Sequence, residues 1–177
     1  DEETRLQIAR RMYAVRFGEH PPPCALDTLR GMEGARVKET YKIQAAKAGI
    51  AWNGRHYDRN DPEAADAPNQ AINFAASIYQ SAATVAVYAV GAIPQLGFVH
   101  EDSGEAFILD ILDLVRMSDV VPVAFQAVRD QSKEHDKPLE QLVRRRAAKM
   151  IAARKTVDVL INHIKELFDV DDRRDNP

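Results

Sequence analysis

Residues 69–90 read NQAINFAASIYQSAATVAVYAV, and this stretch decides the fold class. It contains no Gly, no Pro and no charged residue, and its small Ala and Ser side chains favour a long helix with close neighbours. Polar residues such as Asn73, Ser77 and Gln80 argue against a membrane span, which needs about 20 predominantly apolar residues. We therefore predict a buried central helix that ends at Gly91.

The composition of the whole chain agrees with a helical domain. Its 177 residues are 45% hydrophobic and 29% charged with a net charge of -3, which suits one domain and excludes a disulfide scaffold or a disordered chain. The single cysteine, Cys24, suits a reducing compartment, so we expect a cytoplasmic protein without a signal peptide. Because the chain opens with Asp1 rather than Met, we also expect further sequence before it. The predicted fold class is all-α.

Apolar residues at helical spacing predict the other helices. The predicted segments are residues 3–17, a helix from a cap at Asp27 or Thr28 to Gly49, residues 105–117 after a cap at Ser103, residues 119–129 after a cap at Asp119, and a helix or helix pair over 139–167. Residues 49–68 are turn-rich, with Ile50, Trp52 and Tyr57 as anchors of an ordered loop. We take residues 1–168 as one helical domain and expect 169–177 to be a frayed tail.

Two acids lie within the apolar segment FILDILDL at residues 107–114. Asp110 and Asp113 are three residues apart, so a helix projects both carboxylates from one face. Like charges in low-dielectric surroundings repel each other, and a bound cation or a protonation shift would relieve this. The alternative is a pair of exposed or arginine-paired acids at the polar edge of the helix. His100 precedes this helix and, taken alone, is best interpreted as a structural histidine.

Glu33 lies in the segment RGMEGAR at residues 30–36, between two glycines. Helix propensity disfavours each glycine by about 0.8–1.0 kcal/mol relative to alanine, so close helix packing or the approach of a ligand would explain them. One histidine with two or three carboxylates would form a site of oxygen and nitrogen donors that suits Mg or Mn better than Zn. Spacing alone does not bring Glu33 to His100.

Residues 144–155 read RRRAAKMIAARK, with six basic residues and no acidic residue. This basic flank indicates a phosphate-binding surface, although an ordinary solvated face or a site for an acidic partner remains open. The aromatic residues that could stack on bases are Trp52, Tyr57, Tyr79 and Tyr88. Such residues are more often core or loop anchors, because burial dominates their packing energy.

Four segments together form a pattern that is more specific than any one of them: LRGMEGARV at 29–37, WNGRHYD at 52–58, GFVH at 97–100 and DILD at 110–113. This pattern resembles the CRISPR-associated Cas1 integrases, in their subtype I-E form, over residues 1–168. The resemblance implies that Glu33, His100 and Asp113 bind a catalytic Mg or Mn ion, while Asp110 supports the site.

The implied activity is that of a metal-dependent DNA endonuclease and integrase that inserts spacer DNA into a CRISPR array. In this reaction, a phosphodiester transesterification, the 3'-hydroxyl of the incoming DNA attacks a phosphodiester at the repeat border, and the metal would polarise the phosphate. The implied contacts to the DNA backbone are Arg144, Arg145, Lys149, Arg154 and Lys155.

The resemblance also implies partners. They are double-stranded DNA (prespacer and CRISPR repeat), a second copy of the chain and the small ferredoxin-like Cas2 dimer. Family members carry an N-terminal β-rich domain, so we expect this chain to be the C-terminal catalytic domain of a longer protein. Two alternatives remain: a non-catalytic DNA-binding and assembly fragment, and a metal-free helical interaction domain.

Overall fold

The structure, a computed structural model, describes residues 1–56, 65–101 and 103–168, and within these residues it is entirely helical, as predicted. The helices in these ranges are α1 (Glu2–Phe17), α2 (Leu26–Ala48), α3 (Ala67–Ala89), α4 (Ala106–Val115), α5 (Val121–Gln131), α6 (Leu139–Arg154) and α7 (Thr156–Phe168). The predicted loop anchor Tyr57 and the predicted tail 169–177 lie outside the described residues. None of the described helices is both long and apolar enough to cross a membrane.

The first two helices lie close to their predicted positions. In α1 the Asp1 carboxylate accepts a hydrogen bond from the backbone N–H of Thr4 at 2.8 Å, which caps the helix. α2 begins at Leu26, so neither predicted cap residue precedes it. Asp27 lies instead in the first turn, where the positive end of the helix dipole stabilises its charge. Gly49, with a φ of 68°, ends α2 as predicted.

Helix α3 is the predicted central helix, and it buries one face. Ile72, Ala75 and Tyr79 are completely buried, while Val85 and Tyr88 on the opposite face are 55% and 64% exposed. α3 begins before residue 69 because the Asp66 carboxylate caps it, accepting a hydrogen bond from the backbone N–H of Asn69 at 3.1 Å.

The connection from α4 to α5 differs from the sequence prediction. Asp119 was predicted to cap a new helix, but the chain continues from α4 into α5 through a π-helical turn, Arg116–Val120. Asp119 lies within this turn, is only 2% exposed and forms an ion pair with Arg154. The predicted cap is wrong because the wider π turn keeps the helix continuous and places the carboxylate inside, where a guanidinium compensates its charge. The other predicted cap, Ser103, accepts a hydrogen bond from the backbone N–H of Glu105 at 3.1 Å.

The C-terminal segment is a helix pair. Lys155 separates α6 from α7 and has a φ of 49° in the left-handed region, which costs an L residue roughly 1 kcal/mol. The bend lets the apolar stripe of α7 pack inward, with Leu160, Ile164 and Leu167 all buried. Of the two alternatives that the sequence left open for residues 139–167, one helix or a helix pair, the structure therefore has the helix pair.

The chain forms two compact units, each drawn from separate stretches of sequence. The first comprises Asp1–Met32, Gln80–Leu114 and the described part of Lys155–Pro177, and the second comprises Glu33–Tyr79 and Val115–Arg154. The first unit has a core of buried side chains from α1, α4 and α7: Ile8, Met12, Tyr13, Phe107, Ile111, Leu160 and Ile164.

In the second unit, Trp52 anchors the loop after α2, as predicted. Its ring stacks on Tyr41, with centroids 4.9 Å apart, and lies 5.1 Å from the ring of Phe125. These contacts tie the loop to α2 and α5, so the indole is engaged with aromatic neighbours within the protein.

Candidate active site

Asp110 lies on α4 with 1% of its surface exposed, and its carboxylate accepts four hydrogen bonds. The backbone N–H groups of Phe98 and Val99 donate to Oδ2 at 2.6 and 3.1 Å, and that of His100 donates to Oδ1 at 3.0 Å. The His100 ring nitrogen Nδ1 also donates to Oδ1, at 2.7 Å, because a carboxylate can only accept. These donors compensate the cost of burying the carboxylate and fix the orientation of the imidazole.

Two arginines hold the same loop through its carbonyl groups. Arg5 on α1 donates from Nε and Nη2 to the carbonyl oxygen of Phe98, each at 3.2 Å. Arg30 on α2 donates from Nη2 to the carbonyl oxygen of Val99 at 2.7 Å. The peptide groups that lead to His100 are therefore bound on both sides, which restricts the histidine to one position.

Gly97 allows this loop to pack closely. A Cβ atom at Gly97 would overlap the carbonyl oxygen of His100 and the side chain of Ala106. A larger residue would push His100 away from Asp110, so only glycine fits at the first position of the GFVH segment.

Asp113 lies one turn beyond Asp110 on α4. Its Oδ2 accepts a hydrogen bond from Arg16 Nη2 at 2.9 Å, and the two side chains are 8% and 9% exposed. The same oxygen lies 3.9 Å from His100 Nε2, on a histidine side chain that is 37% exposed. The interpretation of the two aspartates as exposed acids is therefore wrong, whereas arginine pairing is confirmed for Asp113.

Tyr13 packs beside the ion pair from α1. The Arg16 guanidinium carbon lies 5.0 Å from the centroid of the Tyr13 ring, within the range of a cation–π contact. Burial raises the pKa of the Tyr13 phenol above its usual range. The phenol therefore stays protonated near neutral pH and does not serve as a general base.

His100 and Asp113 are suitable ligands for a hard divalent cation. Because Nδ1 is hydrogen-bonded to Asp110, Nε2 is the ring nitrogen that lies towards Asp113. A carboxylate commonly orients a metal-binding histidine through its other ring nitrogen in this way. Adjacent ligands of one octahedral Mg ion, each at about 2.1 Å from the metal, lie about 3 Å apart. His100 Nε2 and Asp113 Oδ2 are 3.9 Å apart, so the two side chains would have to approach each other by about 1 Å to bind one ion at adjacent positions.

The structure brings together only some of the predicted site residues, namely His100, Asp110 and Asp113. Among the described residues, no three side chains of His, Cys, Asp or Glu come together as a complete set of metal ligands. Asp110 uses both its oxygens on the loop of His100, so it orients the histidine rather than offering a ligand atom.

Glu33 is half-buried on α2, three residues after Arg30, and belongs to the second compact unit. Its role as a third ligand stays a prediction. Added Cβ atoms at Gly31 and Gly34 would meet nothing within 4 Å among the described residues, so close helix packing does not explain these glycines.

The basic flank is largely paired with acids. Three of its five predicted DNA contacts form ion pairs: Arg144 with Glu140 at 2.5 Å, Arg145 with Glu134 at 2.7 Å, and Arg154 with Asp119. The other two, Lys149 and Lys155, are exposed and form no ion pair within the described part of the chain. These lysines are the cations that a phosphate could reach without breaking an existing pair. Of the aromatic residues considered for stacking on bases, Tyr79 is completely buried, which makes it a core residue.

Sequence reasoning missed the arginines that hold the site. Arg5 and Arg16 are eleven residues apart, about three turns of α1, so they lie on the same face of the helix. This spacing was a signal for their shared role, but their partners Phe98 and Asp113 are more than 90 residues away in sequence. Only the tertiary structure connects them.

Sequence reasoning also missed a polar cluster at the start of α3. Asn69 is completely buried, and its Oδ1 accepts hydrogen bonds from Arg55 Nη1 at 2.9 Å and from the backbone N–H of His56 at 3.0 Å. Its Nδ2 donates to the carbonyl oxygen of Gly54 at 3.0 Å. Asn69 therefore shapes the NGRH part of the loop that the resemblance singled out.

Comparison with known proteins places the chain in a family. Residues 1–167 match the family described as CRISPR associated protein Cas1. The chain belongs to this family. It is 38% identical over 169 residues to the CRISPR-associated endonuclease Cas1 of Escherichia coli (strain K12), and 36% identical over 171 residues to CRISPR-associated endonuclease Cas1 1 of Rhodospirillum rubrum.

The fold of a solved Cas1 protein also agrees with this family assignment. The helical fold is similar to the crystal structure of a TtCas1–DNA complex, with a TM-score of 0.86 and 32% identity over 95% of this chain and 61% of that one. The Escherichia coli and Rhodospirillum rubrum alignments each cover 95% of this chain but only 54% and 55% of the relative. The chain thus spans about half the length of the curated Cas1 proteins it matches.

Proposed function

We propose that this chain is the catalytic domain of a metal-dependent DNA endonuclease and integrase that inserts spacer DNA into a CRISPR array by phosphodiester transesterification. The observation that carries the proposal is the arrangement of Asp110, His100 and Asp113. A buried carboxylate orients the imidazole, and the remaining ring nitrogen faces a second carboxylate across 3.9 Å. This combination presents a ring nitrogen and a carboxylate oxygen side by side, as a metal site requires.

His100 and Asp113 would hold the metal, with Glu33 as the proposed third ligand. A bound Mg or Mn ion would supply Lewis-acid polarisation of the phosphodiester and lower the pKa of the attacking hydroxyl. The chain itself supplies the orientation. Asp110 fixes the imidazole, and Arg5, through the carbonyl oxygen of Phe98, fixes the backbone that carries it.

DNA is the proposed substrate, as prespacer and as CRISPR repeat. A solved relative, TtCas1, is described in complex with DNA, which supports this ligand class. Lys149 and Lys155 are the proposed primary backbone contacts, because the arginines of the same flank are engaged with acids. Arg144, Arg145 and Arg154 would contact DNA only by exchanging a carboxylate for a phosphate.

The remaining parts of the proposal rest on the resemblance in sequence. They are the subtype I-E affiliation, pairing with a second copy, and assembly with a ferredoxin-like Cas2 dimer. The alternative of a non-catalytic DNA-binding and assembly fragment predicts that the acids and the histidine can be changed without loss of integration.

The deciding experiment is an integration assay on the intact protein carrying Asp113→Ala. We expect strand transfer to fall to background while duplex binding persists, because the change removes a ligand atom and no phosphate-binding cation. His100→Ala gives a second test that leaves the pair of Arg16 and Asp113 in place. Asp130→Asn, which removes a carboxylate paired with Arg146 outside the site, is the matched control. Near-normal integration by both site variants would favour the assembly fragment.

A further inference from the structure

Arg16 occupies the oxygen that the proposed metal would need. Its Nη2 lies 2.9 Å from Asp113 Oδ2, and this oxygen is the one that faces His100 Nε2. Both partners of the ion pair are more than nine-tenths buried. A guanidinium at this position gives a buried carboxylate the counter-charge that a cation would otherwise provide.

The charge of Arg16 is permanent. A guanidinium does not lose its proton in proteins, so a divalent cation at the same carboxylate must either displace Arg16 or bear its repulsion. The guanidinium already lies over an aromatic ring while it is paired, with its carbon 5.0 Å from the centroid of the Tyr13 ring, and this contact does not depend on Asp113. Release from Asp113 would therefore leave the charge over an aromatic face.

We propose that Arg16 is a positioning residue that holds the Asp113 carboxylate until a divalent cation binds and that lowers the metal affinity of the site by competing for Oδ2. This inference rests on the proposed function in taking Asp113 as a metal ligand. It assigns to α1 a second task besides packing, since α1 also carries Arg5, which holds the His100 loop.

The test is a calorimetric Mn²⁺ titration of the intact protein without DNA. We expect Arg16→Gln to bind Mn²⁺ at least about fivefold more tightly than the wild type, because the competing charge is gone. Arg16→Lys keeps the charge and should bind within about twofold of the wild type. Arg11→Gln is the matched control: this arginine lies on the same helix and donates at 2.7 Å to the carbonyl oxygen of Leu167, a backbone acceptor.

Thermal melting supplies an independent readout. Without metal, Arg16→Gln should melt below the wild type, and saturating Mn²⁺ should raise its melting temperature by more than that of the wild type. If the Gln variant does not fold, Arg16→Met keeps the apolar stem against Tyr13 and carries the same expectation. Unchanged or weaker Mn²⁺ binding by a folded neutral variant would overturn the competition.

A separate result would identify failure of the proposed function. If Asp113→Asn binds Mn²⁺ as tightly as the wild type, or if the wild type shows no saturable binding, Asp113 is not a ligand. Both the metal site and the role of Arg16 would then be refuted. Saturable binding that Asp113→Asn abolishes and Arg16→Gln fails to tighten would refute the role of Arg16 alone.

Discussion

Asp110 is the residue on which the geometry of the candidate site depends. Each of its two oxygens accepts two hydrogen bonds, so Asp110→Asn must aim an NH₂ group at two donors whichever way the amide is placed. Leaving such buried donors unsatisfied should lower the free energy of unfolding by about 2–4 kcal/mol. Urea denaturation measures this loss, with Asp27→Asn, an exposed ion-paired acid on α2, as the control. Equal midpoints for the two variants would contradict the role of Asp110.

Glu134 forms an ion pair with Arg145, one of the proposed DNA contacts. Hydrogen bonds from Arg145 and Lys137 lower the pKa of this half-buried carboxyl to about 2. Because the folded pKa is depressed, the pair is complete above the ordinary pKa of 4.5 and is lost only as the pH falls from there towards 2. At neutral pH the arginine is therefore occupied.

We expect Glu134→Gln to strengthen duplex binding and to steepen the salt dependence by about one unit, because, of its two released partners, Arg145 and Lys137, only Arg145 belongs to the basic flank. Fluorescence anisotropy at a series of salt concentrations measures both effects. Glu39→Gln provides the comparison, since Glu39 pairs with Lys42 on α2 and not with the basic flank. A slope that does not change at Glu134 would show that Arg145 takes no part in DNA binding.

At the scale of elements, the helices follow from the sequence because their signals are local. Apolar spacing predicts α1, α2 and α3, and Gly49 ends α2 where its φ of 68° favours glycine. Two boundaries do not follow from local signals. The π turn at Arg116–Val120 depends on the burial of Asp119 against Arg154, and the bend at Lys155 depends on the packing of α7.

The backbone strain at the bend between α6 and α7 can be measured as a change in the free energy of unfolding. Lys155 has a positive φ, which glycine adopts without strain, so Lys155→Gly should raise the free energy of unfolding by roughly 0.5–1 kcal/mol. The same change removes a proposed phosphate contact and should lower the salt slope of DNA binding by about one unit. Thermal melts and salt titrations separate the two effects. Destabilisation would mean that the lysine stem contributes packing that outweighs the backbone strain.

Part of the candidate site was also predictable from the sequence, because some of its signals are local. Asp110 and Asp113 share a helix face, which spacing reveals, and His100 lies in the loop before their helix, which begins at Ala106. The different roles of the two acids could not be predicted from the sequence: Asp110 orients His100, and Asp113 pairs with Arg16. These roles depend on the loop folding back so that its N–H groups reach Asp110, and on Arg16 reaching Asp113 from 97 residues away.

At the scale of the whole molecule, net charge and local charge act in opposite directions. The chain carries a net charge of -3, so its overall field would oppose the approach of DNA, and the proposed DNA binding would rely on local cations. Most arginines of the basic flank are already neutralised by acids, which leaves few cations for phosphate. DNA affinity should accordingly be concentrated in a small number of lysines.

The double variant Lys149→Ala/Lys155→Ala tests this concentration of affinity in the intact protein. It removes two exposed lysines of the basic flank that form no ion pair within the described residues, so the salt slope of duplex binding should fall by about two units, similarly for any DNA sequence. Arg144→Ala/Arg145→Ala removes the same charge from paired positions and should lower the slope by less. Integration by the lysine variant should recover at high DNA concentration, since the residues around His100 are unchanged, whereas Asp113→Ala should not recover. Equal slopes for the lysine and arginine variants would show that the arginines give up their acids on binding.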